Sequence, residues 1–384
     1  MSKPSTLNLF FPFLRLGLTA FGGPAMVAYI KEMSVDRSKW LDEQTFKEGV
    51  ALCQSIPGAT AMQTAAYVGL RTKGITGAVS SFVGFGLPAF ILMLVLSFLY
   101  KRYHALPSII SLFNGLQVVV VAIVANATYS FGKSTFKDYK EIVLAVAASA
   151  LLWAGFSPFI VIIGAALAGI VFLRSGGGIP FSTSDGKTNG FNAKHFSVLI
   201  LILFLVLSSL YLVDRKLFSL AELMMRIDLF AFGGGFASVP LMLHEIVDVR
   251  VWMDSKTFMD GIALGQVTPG PIVITSTFVG YLTQGIAGAF VATIAIFTPS
   301  FLMVITLTPV LDKLKASSFF LRAMKGILAS FVGLLFFVAV KFALAVPWDV
   351  LRVLLACTAF AALMRKIDIL YIVLITSIIS VIIF

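Results

Sequence analysis

Residues 49–70 read GVALCQSIPGATAMQTAAYVGL, and residues 258–282 read FMDGIALGQVTPGPIVITSTFVGYL. Each is an apolar stretch long enough for a membrane segment, interrupted by Pro57-Gly58 in the first and by Thr268-Pro269-Gly270-Pro271 in the second. Proline removes a backbone donor and clashes with the preceding turn, and glycine adds backbone freedom. Each stretch is therefore expected to break into two half-helices, the second starting near Ala59 or Ile272. The first amides of such a half-helix lack intrahelical partners and carry a partial positive charge. Two such ends facing each other inside the protein would make an anion site. A packing kink is the simpler reading of one Pro-Gly pair, but a repeated pair weighs against it.

The repetition extends well beyond these two stretches: residues 14–93 resemble residues 225–304. Arg15 matches Arg226, and Ala20-Phe21-Gly22-Gly23 matches Ala231-Phe232-Gly233-Gly234. Trp40, Phe46, Gln54, Pro57 and Gly58 recur 212 positions later as Trp252, Phe258, Gln266, Pro269 and Gly270. After a one-residue slip, Gly69, Gly74, Gly77 and Pro88 recur as Gly280, Gly285, Gly288 and Pro299. The chain is two copies of one unit.

Of the 384 residues, 59% are hydrophobic and only 12% charged, against roughly 25% charged in a soluble domain. This places the chain in a bilayer as an all-α polytopic membrane protein. Apolar segments near 7–30, 49–70, 75–100, 108–131, 141–173, 195–213, 220–243, 258–282, 286–311, 324–347, 349–363 and 367–384 give twelve or thirteen membrane segments, with 141–173 split at its 154–158 turn. The expected organisation is a first membrane repeat (1–173), a polar linker (174–194), a connecting helix (195–213) and a second repeat (214–384). Seven segments precede the second copy, and an odd number inverts it. Basic residues agree, because they favour cytoplasmic loops. The loop after the third segment carries Lys101 and Arg102 against Lys313, Lys315, Arg322 and Lys325 in its counterpart, whereas Arg71 and Lys73 have no basic counterpart near Gln284, so the bias reverses between the copies. The sum puts the N-terminus in the cytoplasm and the C-terminus outside, although the basic loop 31–48 dissents. The net charge of +11 is read as this loop bias rather than as a nucleic-acid surface. Cys53 and Cys357 are too few for a disulfide framework.

Inverted repeats with interrupted helices are a mark of secondary transporters. The candidate substrate residues lie at the interruptions: Gln54, Pro57, Gly58, Ala59 and Thr60 in the first copy, and Gln266, Thr268, Pro269 and Gly270 in the second. Glutamine amides can donate to an oxyanion without adding charge. Gly22, Gly23, Gly233 and Gly234 allow either a break or close helix packing. Arg15 and Arg226 present a guanidinium fork suited to tetrahedral oxyanions. The alternatives are snorkelling to the interface for Arg15, and pairing with Glu222 or a position near Asp228 for Arg226. Gln63 and Thr275 are further polar candidates, and Lys341 is read as snorkelling. Trp40 and Trp252 read as interface anchors, and Asp42 and Asp254 as helix caps. No Walker loop, dinucleotide fingerprint or HExxH motif is present. No catalytic residue, cofactor or metal is expected.

The stretches FLRLGLTAFGGPAMVAYIKE, W-L-D-E-x-x-F, ALCQSIPGATAMQ, FAFGGGFASVPLM and GQVTPGPIVITSTFVGY resemble the chromate ion transporter family in its long two-domain form. The resemblance covers nearly the whole chain. It implies export of chromate across the cytoplasmic membrane, with sulfate as the isosteric competitor. The family's glycine-rich and Pro-Gly motifs match Gly22, Gly23, Pro57, Gly58, Gly233, Gly234, Pro269 and Gly270. Where many members carry a histidine after the first GGP, this chain has Ala25-Met26-Val27. Where many have PGP in the first copy, it has Pro57-Gly58-Ala59. The expected partners are chromate or sulfate and membrane lipid, with no nucleic acid, and the reading leaves room for a homodimer. Sulfate or another anion as the native substrate, or a membrane protein without transport activity, are the alternatives.

Overall fold

The structure, a computed structural model, describes residues 5–21, 23–173, 193–308 and 317–383. Gly22, most of the polar linker 174–194, and the loop lysines Lys313 and Lys315 lie outside the described residues. Among the described residues there are fifteen α-helices and no strand. The protein is an all-α membrane protein. Among the described residues four helical stretches are long and apolar enough to cross a bilayer: Thr60–Tyr103, Pro107–Thr135, Ile272–Leu307 and Ser318–Ala345.

The first copy comprises α1 (Thr6–Thr19), α2 (Gly23–Lys31), α3 (Glu43–Ser55), α4 (Thr60–Tyr103), α5 (Pro107–Thr135), α6 (Tyr139–Trp153) and α7 (Pro158–Phe172). Helix α8 (Ala193–Val213) connects to the second copy. This comprises α9 (Arg215–Phe230), α10 (Ser238–Met242), α11 (Ser255–Val267), α12 (Thr275–Leu307), α13 (Ser318–Ala345), α14 (Val350–Met364) and α15 (Ile369–Ile383). Helix starts follow local chemistry. Asp42 and Asp254 cap α3 and α11 by accepting from the amides of Thr45 and Thr257, as the sequence predicts. Asp138 and Glu141 close a capping box on α6. Pro107 and Pro158 stand in the first turns of α5 and α7.

The repeat is written in the backbone as well as in the sequence. Lys39 and Val251 share φ values of 50° and 49°, Gly58 and Gly270 of 111° and 115°, and Gly74 and Gly285 of 69° and 62°. Matching π-helical turns follow α2 at Glu32–Arg37 and α10 at Leu243–Val249.

The broken segments do not run on across the molecule; they fold back. Tyr67 of α4 lies against Gly49 of α3 and donates to the Thr45 carbonyl at 3.3 Å. Residues 45 and 67 would be roughly 30 Å apart along a continuous helix. In the second copy the Phe278 ring covers Gly261. Helices α1 and α2 also form a hairpin, with Phe13 stacked on Trp40 at 6.3 Å. Likewise Arg250, beyond α10, donates to Ser219 of α9 at 2.9 Å. Each copy therefore opens with two helical hairpins, the second with Pro-Gly at its tip and the first, in the second copy, with Phe232-Gly233-Gly234 at its tip.

A further reversal occurs within α4 at Lys73-Gly74 and within α12 at Gln284-Gly285, where φ and ψ leave the helical region. The limbs touch through glycine. A Cβ on Gly69 would sit 2.2 Å from the Gly77 carbonyl oxygen, and one on Gly280 would sit 2.3 Å from that of Gly288. The long limbs 75–103 and 286–307 are thus separate from the short ones, at the boundaries expected from sequence.

The two copies interlock. The α6–α7 hairpin packs on α13 of the second copy, and α14–α15 pack on α5 of the first. Glycines make this approach close: a Cβ on Gly326 would lie 2.1 Å from the Ala165 carbonyl oxygen, and the Gly115 amide donates to Ser380 at 3.0 Å.

Candidate functional site

The four hairpin tips are the places where the backbone leaves its helical ladder, so their amides need partners. Two of these amides find partners across the repeat boundary. The Gly58 amide donates to the Ala231 carbonyl at 3.0 Å, and the Gly270 amide donates to the Ala20 carbonyl at 3.2 Å. Gly58 corresponds to Gly270, and Ala231 to Ala20. This reciprocal exchange is what a two-fold relation between the copies produces.

Three helix starts meet at these tips. Helix α4 begins at Thr60 and the second-copy half-helix at Ile272, and neither has a side-chain cap. The short 3-10 turn Gly235–Ala237 is also uncapped. A Cβ on Gly234 would lie 3.6 Å from Thr60 Oγ1, and one on Gly235 would lie 3.9 Å from the Ile272 amide nitrogen. The positive ends of three backbone segments therefore point into one region. Gly233 and Gly234 hold φ values of 98° and 95°, which side-chain-bearing residues rarely adopt. Here the glycines shape a tip.

The site residues expected from sequence divide as follows. Pro57, Gly58, Ala59, Thr60, Thr268, Pro269, Gly270, Gly233 and Gly234 all lie on the meeting tips. Gly23 opens α2, and Gly22 is outside the described residues. Gln266 presents a buried Nε2 that has no hydrogen-bond partner, whereas Gln54 is exposed. The Thr268 hydroxyl donates to the Gly265 carbonyl at 2.9 Å. Arg15 lies exposed on the α1 stem.

Arg226 lies on the α9 stem in a four-membered ion network. It contacts Glu245 at 2.8 Å and Glu222 at 3.9 Å, while Arg250 contacts the same two carboxylates at 3.5 and 3.7 Å. Its guanidinium also sits 4.7 Å from the centre of the Phe159 ring. Lys341, expected to snorkel, pairs with Asp248.

Two residues gain weight from the structure. Gln63, 0% exposed, donates from Nε2 to the Pro57 carbonyl and leaves Oε1 without a partner. Asp228, 1% exposed, accepts from the Ser300 amide at 2.7 Å and leaves Oδ1 without a partner. Both stand over Gly58: a Cβ there would lie 2.9 Å from Gln63 Nε2, 3.0 Å from Asp228 Oδ1 and 2.4 Å from Ser300 Cβ. The sequence offered Gln63 as a further polar candidate, and Asp228 as a neighbour of Arg226 and, with Glu222, as one of the few carboxylates that could carry a co-transported cation. Their convergence depends on folding back, which spacing along the chain does not reveal. Among the described residues no cluster of His, Cys, Asp and Glu is arranged to hold a metal ion.

Fold and site together define a multi-pass membrane protein built from two copies of one unit, with interrupted helices meeting at its centre. A family model described as chromate transporter matches residues 7–170 and again 218–382, and the chain belongs to that family. It is 44% identical over 380 residues to an uncharacterized transporter of Methanocaldococcus jannaschii, covering 99% of this chain and 94% of that one. It is 30% identical over 363 residues to a chromate transport protein of Cupriavidus metallidurans, covering 92% and 86% of the two chains. A chromate transport protein of Pseudomonas aeruginosa is 28% identical over 352 residues, covering 87% and 80%. No solved structure matches the chain.

Proposed function

We propose that this protein is a secondary transporter that exports chromate or a similar tetrahedral dianion, held at the meeting hairpin tips. The observation that carries this reading is the convergence of uncapped helix starts at Thr60, Gly235 and Ile272 beside the reciprocal Gly58–Ala231 and Gly270–Ala20 bonds. Unpartnered amides and helix dipoles stabilise an oxyanion without a matched cation. The buried Nε2 of Gln266 adds a donor. Sulfate, with the same shape and charge, competes. Closely packed tips imply that the anion enters only after one pair separates, so alternating separation of the two pairs moves it across the membrane.

Direction follows from the membrane potential. Each charge crossing 100 mV is worth about 2.3 kcal/mol, so a dianion leaving an inside-negative cell moves downhill by roughly twice that. The topology reading keeps its parity despite the fold-back. A hairpin that enters and leaves on one side adds no net crossing. The limb 75–103, α5, the α6–α7 pair and α8 then precede the second copy with an odd count, which inverts it. The N-terminus is cytoplasmic and the C-terminus external.

The test is uptake of labelled chromate and of labelled sulfate into inverted membrane vesicles, with and without an interior-positive potential. The expected result is potential-stimulated uptake of chromate that sulfate inhibits and Gly270→Leu abolishes. Uptake confined to right-side-out vesicles would reverse the direction. Normal uptake by folded Gly270→Leu would remove the tips as the site.

A further inference from the structure

Pro299 stands inside helix α12, and the next amide, Ser300, donates to Asp228 Oδ2 at 2.7 Å. That bond accounts for one carboxylate oxygen. The other, Oδ1, is buried without a hydrogen-bond partner and faces Gly58 at the tip. The groups placed beside the carboxylate are Ser300 of α12 and Gly58, with Gln63 of α4 over the same glycine, and none of these ionises. On the same helix, Glu222 and Arg226 belong to the ion network with Glu245 and Arg250. No cation among these neighbours balances an ionised Asp228.

The two-fold relation sharpens the point. The position matching Asp228 in the first copy is Gly17, and the position matching Ser300 is Ala89. A Cβ on Gly270 meets only Ala89, at 2.9 Å, where one on Gly58 meets Ser300, Gln63 and Asp228. The scaffold is duplicated but the carboxyl group is present once.

A dianion at the tips and an ionised Oδ1 beside Gly58 repel each other. A protonated Oδ1 instead offers an O–H donor to the same anion. Proton and anion therefore bind cooperatively, each raising the affinity for the other by the same factor. We propose that Asp228 is the proton-binding residue of the anion site, so that each dianion is carried together with one proton and one net negative charge crosses per cycle. The proton is taken from solvent on the side where the anion enters and leaves with it on the other side. This inference rests on the tips being the anion site.

The decisive measurement is equilibrium binding of labelled sulfate to the purified protein across neutral and mildly alkaline pH, because sulfate itself stays a dianion throughout. Wild type is expected to lose about tenfold in affinity per pH unit above the midpoint of the group. Asp228→Asn keeps an oxygen to accept from Ser300 and presents an amide donor in place of the O–H, so it is expected to bind with a flat pH profile. Identical profiles for the two proteins, with Gly270→Leu devoid of binding, would overturn the proton role and leave the site standing. Wild-type binding by folded Gly270→Leu would overturn the site and the proposal with it. Should Asp228→Asn fail to fold, proton uptake decides. Adding sulfate or chromate to weakly buffered wild type is expected to draw up to one proton per anion bound, and no uptake with either would overturn the proposal.

Discussion

Replacing Gly58 with alanine, and separately Gly270 with alanine, tests whether the close packing of the tips holds the protein together. The two glycines have nearly the same backbone, with φ of 111° and 115°. Each substitution therefore incurs the same conformational strain, about 1–3 kcal/mol for a side chain held in this region. The surroundings differ. The new methyl at 58 would lie 2.4 Å from Ser300 Cβ, 2.9 Å from Gln63 Nε2 and 3.0 Å from Asp228 Oδ1, whereas that at 270 would meet only Ala89 Cβ, at 2.9 Å. Overpacking at 58 adds about 1–3 kcal/mol. The single close contact with Ala89 Cβ adds about 1 kcal/mol at 270, so the expected loss is roughly 2–6 kcal/mol for Gly58→Ala and roughly 2–4 kcal/mol for Gly270→Ala. Unfolding of the purified proteins by a titrated denaturing detergent measures both on one scale. Equal losses would refute the argument that the first tip is the more tightly filled. No loss in either would refute the tip geometry itself.

Other outcomes follow from the same geometry. Gln266→Leu removes a buried donor and is expected to weaken sulfate and chromate binding about five- to 150-fold, equivalent to 1–3 kcal/mol, while Gln54→Leu at an exposed position leaves binding within twofold; an equal effect of the two would place the donors elsewhere. Arg226→Gln is expected to lower stability by about 1 kcal/mol, as for a partly exposed ion pair, with anion affinity unchanged; a selective loss of affinity would return Arg226 to the site. Single cysteines at the two termini, on a background lacking Cys53 and Cys357, are expected to react with an impermeant reagent from opposite faces of the membrane, and labelling from one face would contradict the odd crossing count. Asp42→Ala removes a cap and is expected to cost about 1 kcal/mol. The Thr45 amide holds the Asp42 carboxyl below its usual pKa, so its contribution is present at neutral pH and lost as pH falls through the lowered value; a cost to Asp42→Ala that persisted in acid would count against it.

The duplication was legible because it is carried by prolines and glycines, whose backbone roles tolerate little substitution. Gly58 and Gly270, or Gly74 and Gly285, recur in sequence because each pair repeats one positive φ. The breaks at Pro57 and Pro269 were legible for the same reason. Direction after the break was not, since Pro-Gly ends a helix whether the chain continues or reverses. Two signals pointed to reversal. Helix α3 has only 13 residues, about 20 Å and too short for the hydrocarbon core, and Gly49 leaves room for Tyr67 to fold onto it. The pairing of Arg226 with Glu245, 19 positions apart, depends on the hairpin and was hidden with it. Pairing with Glu222 was visible because it lies one helical turn away.

The two tip bonds also bear on the state of the transporter. When repeats related by a two-fold open alternately, an open state must be asymmetric, with one tip pair joined and the other parted. Here the two bonds are nearly equal, at 3.0 and 3.2 Å. On the proposed reading this is the arrangement closed at both tips. Each bond is worth only about 0.5–1.5 kcal/mol net, so parting one pair is a modest expense, which the anion's contacts with the freed amides can offset. The carboxyl of Asp228 is not symmetric, because its match is Gly17. Parting Gly58 from Ala231 exposes a titratable group, while parting Gly270 from Ala20 does not. On the proposed reading the two open states differ in how they respond to pH even though the backbone treats them alike. A symmetric hinge carrying one asymmetric proton site lets a gradient on one side of the membrane bias the cycle.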